Sequence, residues 1–370
     1  MCSSDLGMAI SLAQLALQQT PAPEGLGLAR EAVAALDGQR GTAASAWAHS
    51  ALAITLANGS QGAAARLAAE QADACAQATG DAEVRVHAGS IAASVALSVA
   101  PTPAAFGRLQ ACIDEAVSLG RADRAAVPMV NLASVALAHG DVGRVLAVTA
   151  HGMRWCADRD MDMVVAHLTV RRALALFELA RWDEALATLD GLDRLPSVPE
   201  RQLVSAGILR HRVQAWRGGV NDAALWSGHL ATVRAGQTDL VPVFVQIAAA
   251  EAAWLRQDMP TARAIATEGL ADAESPWLTA QLRKWLRWAG GVLPAPALAL
   301  PPAHRAAEAG DWRGAHASWL AGGFRFDAAL ALLDGDAAAR QQALAELLAL
   351  GADAAAQGLR RQLQAAGMKG

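Results

Sequence analysis

Apolar and small residues recur at helical spacing in stretches such as "SAWAHSALAITLA" and "MVVAHLTVRRALALFELA", each ending at a short polar or Gly/Pro turn. The turns align as "ANGSQGAAARL", "VAPTPAAFGRL", "AHGDVGRVLAV", "LARWDEALATL", "WRGGVNDAALW" and "RQDMPTARAIA". Taking Ala63, Ala104, Val145, Ala185, Ala223 and Ala262 as anchors gives a period of about 40 residues. Each unit then reads as helix, tight turn, helix. The small anchor is expected where two antiparallel helices approach closely, since a bulky side chain would hold them apart. Neither helix of a pair can bury its apolar stripe alone, so neighbouring pairs must stack. The period exceeds that of a tetratricopeptide repeat and the full consensus is missing. The expected fold is therefore all-α, a right-handed solenoid of antiparallel helix pairs with degenerate tetratricopeptide-like repeats, closed by a C-terminal helical cap. The copy "LARWDEALATLD" is the strongest, with Trp182 and Ala185 as its aromatic-x-x-Ala core.

The pattern changes after "SPWLTAQLRKWLRWAGG". Prolines 294, 296, 301 and 302 in "GGVLPAPALALPP" cannot lie in a helix interior. They divide the chain into a repeat array at 7–289, a Pro-rich linker at 290–302 and a helical capping module at 303–370. Within that module, helices are expected at roughly 337–350 and 354–366, with Leu359 and Leu363 docking on "QQALAELLAL" and a stop at Gly367. The opening "MCSSDL" resembles the translated end of a sequencing adapter. It is set aside, and the natural chain is expected to begin further upstream.

Composition narrows the classes. Hydrophobic residues make up 54% and charged residues 18%, too apolar a balance for a disordered chain. The net charge of −4 gives no electrostatic footprint for nucleic acid on this segment. Four cysteines (Cys2, Cys75, Cys112, Cys156) lack paired spacing, which points to small packed thiols in a reducing, cytoplasmic setting. The most apolar run, "LVPVFVQIAAAEAAWL", is interrupted by Gln246 and Glu251, so no membrane span is expected.

The last block carries a resemblance. Trp277, then "WLRWAG", a proline-rich spacer, "GDWRGAHASWLAGGFRFDAALAL" and "LLDGDAAARQQALAELLALGADAAAQGLRRQLQAAGMKG" resemble the end of the helical-repeat region of large ATP-binding LuxR-type transcriptional regulators. The specific match runs over about residues 276–370. The resemblance implies a repeat segment that receives an effector and biases an upstream ATPase and a downstream helix-turn-helix. Neither module is present in these 370 residues, and Gly-Phe-Arg-Phe stands where the family has a Cys-Pro-Tyr-like lead.

Reactive chemistry is sparse. Neither lysine (Lys284, Lys369) follows a glycine-rich loop, so there is no phosphate loop, and "GLGLAR" lacks the third glycine of a dinucleotide fingerprint. No GxSxG or HExxH motif occurs, and the histidines are dispersed. No catalytic residue, metal ligand or cofactor is therefore assigned, and the chain is expected not to be an enzyme. Eleven tryptophans, five of them in the last hundred residues, read as core and cap packing. One polar stripe stands out. His49, Ser90, Asn131 and Arg171 occupy nearly equivalent places in the first helices of successive pairs, the helices that line the groove of such arrays. They are the candidate contacts for a protein or small-molecule effector. A stand-alone interaction adaptor is the alternative reading, and self-association is a further option.

Overall fold

In the computed structural model, the described residues are 23–365 apart from positions 40, 60 and 239. Among them are nineteen α-helices and no strand. The chain separates into two compact units, with the division at Val135/Ala136. Readings that fall on residues 1–22 or 366–370, including Cys2, Lys369 and the stop at Gly367, lie outside the described residues.

The first unit holds α1 (Pro23–Ala35), α2 (Ala43–Asn58), α3 (Gly62–Thr79), α4 (Ala82–Val99), α5 (Pro103–Ser118) and most of α6 (Ala122–Ala138). Local chemistry sets the helix starts. Thr42 and Thr102 each accept a hydrogen bond from the third backbone N–H beyond them, and Asp81 accepts from Glu83 and Val84. The core is built from small side chains. Ala46, Ala72, Ala76 and Ala88 meet around Cys75, whose thiol lies 3.5 Å from the Ser45 hydroxyl. Alanine at these contacts lets helix backbones come close, which suits so alanine-rich a chain.

The second unit continues with α7 (Val142–Ala157), α8 (Asp162–Glu178), α9 (Trp182–Leu189), α10 (Glu200–Trp216), α11 (Ala223–Arg234), α12 (Pro242–Leu255), α13 (Met259–Asp272) and α14 (Pro276–Trp288). Its turns share one device, a residue in the left-handed region just past the first helix. Glycine fills it at Gly140 and Gly218, but Ala180 (φ 57°) and Gln257 (φ 64°) fill it elsewhere. A Cβ in that region costs about 1–2 kcal/mol. Ala180→Gly should therefore raise stability by about 0.5–1 kcal/mol after the extra unfolded-state entropy of glycine is subtracted. Urea midpoints would register the gain, and an unchanged or lower midpoint would mean that the Ala180 side chain contributes packing worth more than its strain.

The anchors divide into two sets. Val145, Ala185 and Ala262 are fully buried four residues into their helices, as expected for the closest approach. Ala63, Ala104 and Ala223 are exposed. In those pairs the buried position four residues past the cap is Ala65, Phe106 or Trp226. Aligning the turns by their small residues shifted the register, because burial follows the distance from the helix cap rather than the turn sequence. Phe106 and Trp226 also show that this position accepts an aromatic ring.

Residues 291–301 are non-helical and strap across the unit. Buried Arg283 holds the strap, donating to the Pro294 carbonyl and pairing with both oxygens of Glu308 at 2.7 Å. Five helices follow: α15 (Pro302–Glu308), α16 (Trp312–Ala321), α17 (Arg325–Ala331), α18 (Ala337–Ala349) and α19 (Asp353–Ala365). The "GGFRF" stretch turns the chain at Gly323 (φ 81°) and sends two rings into separate clusters. Phe324 meets Trp277 and Trp319, while Phe326 packs edge-on against Trp216 (4.2 Å between centroids) and Trp182 (5.7 Å). The module thus reaches back onto α9 and α10 as well as the end of the array. Leu359 and Leu363 are buried, and their helix α19 packs on α18 and also on α10 and α12.

A buried ion network lies beneath it. Arg212 donates to both oxygens of Glu251 (3.0 and 2.8 Å) and to Glu178 (3.1 Å), and its guanidinium sits 4.0 Å over the Phe177 ring. The Trp216 indole N–H also donates to Glu251. Lys284 pairs with buried Asp327 of α17 at 2.7 Å. Among the described residues no helix is long and apolar enough to cross a membrane. The most apolar run of the sequence lies in α12, and its Glu251 accepts hydrogen bonds in this network.

Candidate functional site

The main cleft lies within the first unit, on the first helices of three successive pairs. Its volume is about 520 Å³, and it is open on one side. Ile54 of α2, Ile91 and Val95 of α4, and Val127, Pro128 and Val135 of α6 make an apolar lining. Ser90, Ser94 and Ser98 of α4 and Asn131 and Ser134 of α6 add a polar wall. The Asn131 side-chain amide donates to the Ser94 hydroxyl at 3.3 Å, tying α4 to α6 across it. Pro128 sits inside α6 and has no N–H for the carbonyl of Arg124 one turn earlier.

One end is charged and aromatic. His87 stacks on Trp47 with centroids 3.8 Å apart, and the Arg124 guanidinium lies over the same indole, 4.6 Å from its ring centroid. Arg124 Nη1 lies 3.1 Å from His87 Nδ1. A guanidinium can only donate, so Nδ1 accepts and the ring is neutral with its proton on Nε2. Burial first, and the Arg124 charge second, push the His87 pKa down to about 3, which keeps it neutral. Its Nε2–H is buried and reaches no acceptor among the described residues, whereas the Nε of Arg124 lies 3.3 Å from a carboxylate oxygen of Asp123. An unsatisfied buried donor costs about 1–3 kcal/mol, so the His87 Nε2–H departs from a well-satisfied interior. Around them Arg121 and Arg124 are matched by Glu83 and Asp123, leaving the rim balanced in charge.

Of the four candidate contacts, Ser90 and Asn131 line this cleft together. His49 lies half-buried on α2 outside the lining, its pKa lowered by burial. Arg171 is buried in α8 and belongs to the second unit. His87, Arg124 and Trp47 were not singled out from the sequence. A signal existed for the first: His87, Ser90, Ser94 and Ser98 form a polar stripe at spacings of three and four along a helix that is apolar between them. The placement of Arg124 and Trp47 against it depends on packing between helices.

Of the three described cysteines, Cys75 and Cys156 are buried, Cys112 is partly so, and all are free thiols. Burial pushes Cys156 up to about 11 and Cys112 in the same direction, so both stay protonated and poorly nucleophilic.

No protein-family model matches the chain, and no curated protein does. Among solved structures it is similar to a circular tandem repeat protein with novel repeat topology and enhanced subunit contact surfaces. The match has 14% identity over 98% of this chain and 94% of that one, with a TM-score of 0.26. Superposition at that level neither fixes how the helices are arranged nor carries a function across.

Proposed function

We propose that this chain is the helical-repeat, effector-receiving segment of a LuxR-type ATP-dependent transcriptional regulator. The cleft on α2, α4 and α6 takes a small effector, and flanking modules supply ATP binding and DNA recognition. The observation that carries the reading is the cleft itself. Its volume falls within the several hundred Å³ usual for small-molecule sites, and it joins an apolar lining to a few polar groups. The resemblance over residues 276–370 supplies the regulator context, and its DNA contacts belong to a domain beyond this segment.

The reading is non-enzymatic. Of the bases lining the cleft, His87 has its Nδ1 lone pair taken by Arg124 and Asp123 is paired with Arg121 and Arg124, and no cleft serine is hydrogen-bonded to the His87 ring. A nucleophile without a base to receive its proton is unactivated.

The coding sequence on both sides tests the assignment. We expect a phosphate loop upstream and a helix-turn-helix downstream in the same reading frame. The 370-residue chain alone should neither hydrolyse ATP nor prefer one DNA sequence over another at physiological salt. A reading frame that lacks both modules would overturn the regulator assignment in favour of a stand-alone adaptor.

A further inference from the structure

We infer that the cleft selects a neutral aliphatic secondary amide, one carbonyl and one N–H between two alkyl arms, read by Asn131 of α6 and Ser94 of α4. This rests on the reading of the cleft as a small-molecule site and adds the chemistry of its ligand.

The Asn131–Ser94 pair supplies the recognition. Both side chains are half-buried, line the cleft and share one hydrogen bond, from the Asn131 amide to the Ser94 hydroxyl at 3.3 Å. Neither side chain makes a further hydrogen bond among the described residues. The Asn131 carbonyl oxygen is left as an acceptor and the Ser94 O–H as a donor. Turning the Asn131 amide over would exchange these roles between the two side chains and still leave a donor and an acceptor. A secondary amide offers the complement of both. An ester or carboxylate brings no donor for the free acceptor, and an ammonium brings no acceptor for the free donor. Each would leave one group desolvated and unpaired beneath the ligand. Two neighbouring serines do not compete for this role: the Ser98 hydroxyl donates to the Ser94 backbone carbonyl at 3.0 Å, and the Ser90 hydroxyl is closed off from solvent.

The position of the pair sets the shape of the ligand. Val127, Asn131 and Val135 all line the cleft and follow one another at helical spacing on α6, so a valine lies one turn to either side of the Asn131 amide. Ile91 of α4 and Ile54 of α2 add to the apolar lining. The polar group of the ligand therefore belongs in its middle, with an alkyl arm on each side.

Charge gives a third, independent argument. The charged side chains that line the cleft, Asp123 and Arg124, lie 3.3 Å apart as an ion pair, and Arg121 beside them is matched by Glu83. A charged head group finds no unmatched partner there to offset the water it loses, whereas a neutral amide gives up far less.

N-pentylhexanamide and pentyl hexanoate differ only in an N–H exchanged for an oxygen, and they test the inference by titration calorimetry and thermal shift on the 370-residue chain. The amide should bind saturably at one site, raise the melting temperature and bind about tenfold or more tightly than the ester. Sodium decanoate and decyltrimethylammonium should bind more weakly than the amide. Asn131→Leu keeps the size of the side chain and should abolish the preference for amide over ester while the ester still binds. Ser94→Ala, a smaller change, should reduce the same preference. A variant that had merely lost its fold would lose the ester as well, and its unliganded melting temperature would show it. Acetyl-valyl-valine methylamide carries the same group within a peptide backbone and should bind more weakly, because its neighbouring amides would lie against the valines. Tighter binding of that peptide would overturn the small-molecule assignment. If amide and ester bind equally, or if the amide preference survives in both variants, the cleft holds small molecules without reading an amide, and this inference alone falls. If neither binds saturably, the small-molecule reading of the cleft falls with it. The flanking-gene test stands apart from these measurements, so the regulator assignment is judged on its own.

Discussion

Replacing Arg212 with methionine should destabilise the second unit by about 3–5 kcal/mol, because it strands Glu178 and Glu251 without a counter-charge in the interior. Arg212 is 6% exposed and Glu251 2%, so water cannot substitute for the lost guanidinium. The loss should depend on pH, and its direction follows from the carboxylates. Burial pushes Glu178 above its ordinary value of 4.5 even with Arg212 attached, helped by the nearby Asp327 and Glu251 charges. A carboxyl raised in the folded state binds more protons folded than unfolded, so its contribution favours the fold below about pH 4.5 and fades as pH rises through the folded value. Without Arg212 the Glu178 carboxyl should shift further upward. The variant's deficit, read from urea midpoints, should therefore be smaller at pH 5 than at pH 8. Glu178→Gln in the Arg212→Met background should recover part of the deficit at pH 8. A deficit that is the same at both pH values would mean that the destabilisation comes from lost packing over Phe177 and not from stranded charge.

Phe326→Ala should loosen the C-terminal module, at a cost of about 3–5 kcal/mol for a buried ring of this size. Phe326 is 6% exposed and is the side chain of α17 that enters the aromatic cluster formed by Trp182 and Trp216, the latter fully buried. Its removal leaves a cavity beside two indoles that are fixed by their own helices and cannot collapse into the space. Hydrogen exchange should quicken in α15 to α19, and in the faces of α9 and α10 that they cover, more than in α7. Uniform acceleration over the whole second unit would show that module and array unfold together and that Phe326 is one core residue among many.

Helix periodicity was sufficient to mark the helices and their pairing, because a 3.6-residue apolar repeat and a turn at each end are local properties of the chain. The turns around residues 120, 140 and 180 appear where Gly and polar residues punctuate the pattern, and the prolines between 290 and 302 fall at a non-helical strap ending at the start of α15. The Trp-rich tail likewise reads from its sequence as buried packing, since a dense set of large rings must leave water. Trp277, Trp285 and Trp319 are all buried.

What the sequence leaves open is everything that depends on distance between helices. The stripe of His49, Ser90, Asn131 and Arg171 is regular along the chain. Yet only Ser90 and Asn131 share a cleft, because equal spacing in sequence does not give equal exposure once neighbouring pairs pack at their own angles. Ala185 is buried and Ala223 exposed for a local reason, as the fourth and the first residue of their helices. Packing between helices also explains Ser275 and Gly140. Ser275 caps α14 and donates to the carbonyl of Ala138, and a side chain at Gly140 would overlap the Trp277 ring. No local pattern joins positions so far apart. By itself the sequence determined that this chain is a tandem array of helix pairs, through periodicity and turns that act within a few residues. The pairing of His87 with Arg124, the network around Arg212 and the seating of Phe326 between Trp182 and Trp216 were decided only by the tertiary structure. Each joins side chains from different helices, and their burial and partners exist only after those helices have packed.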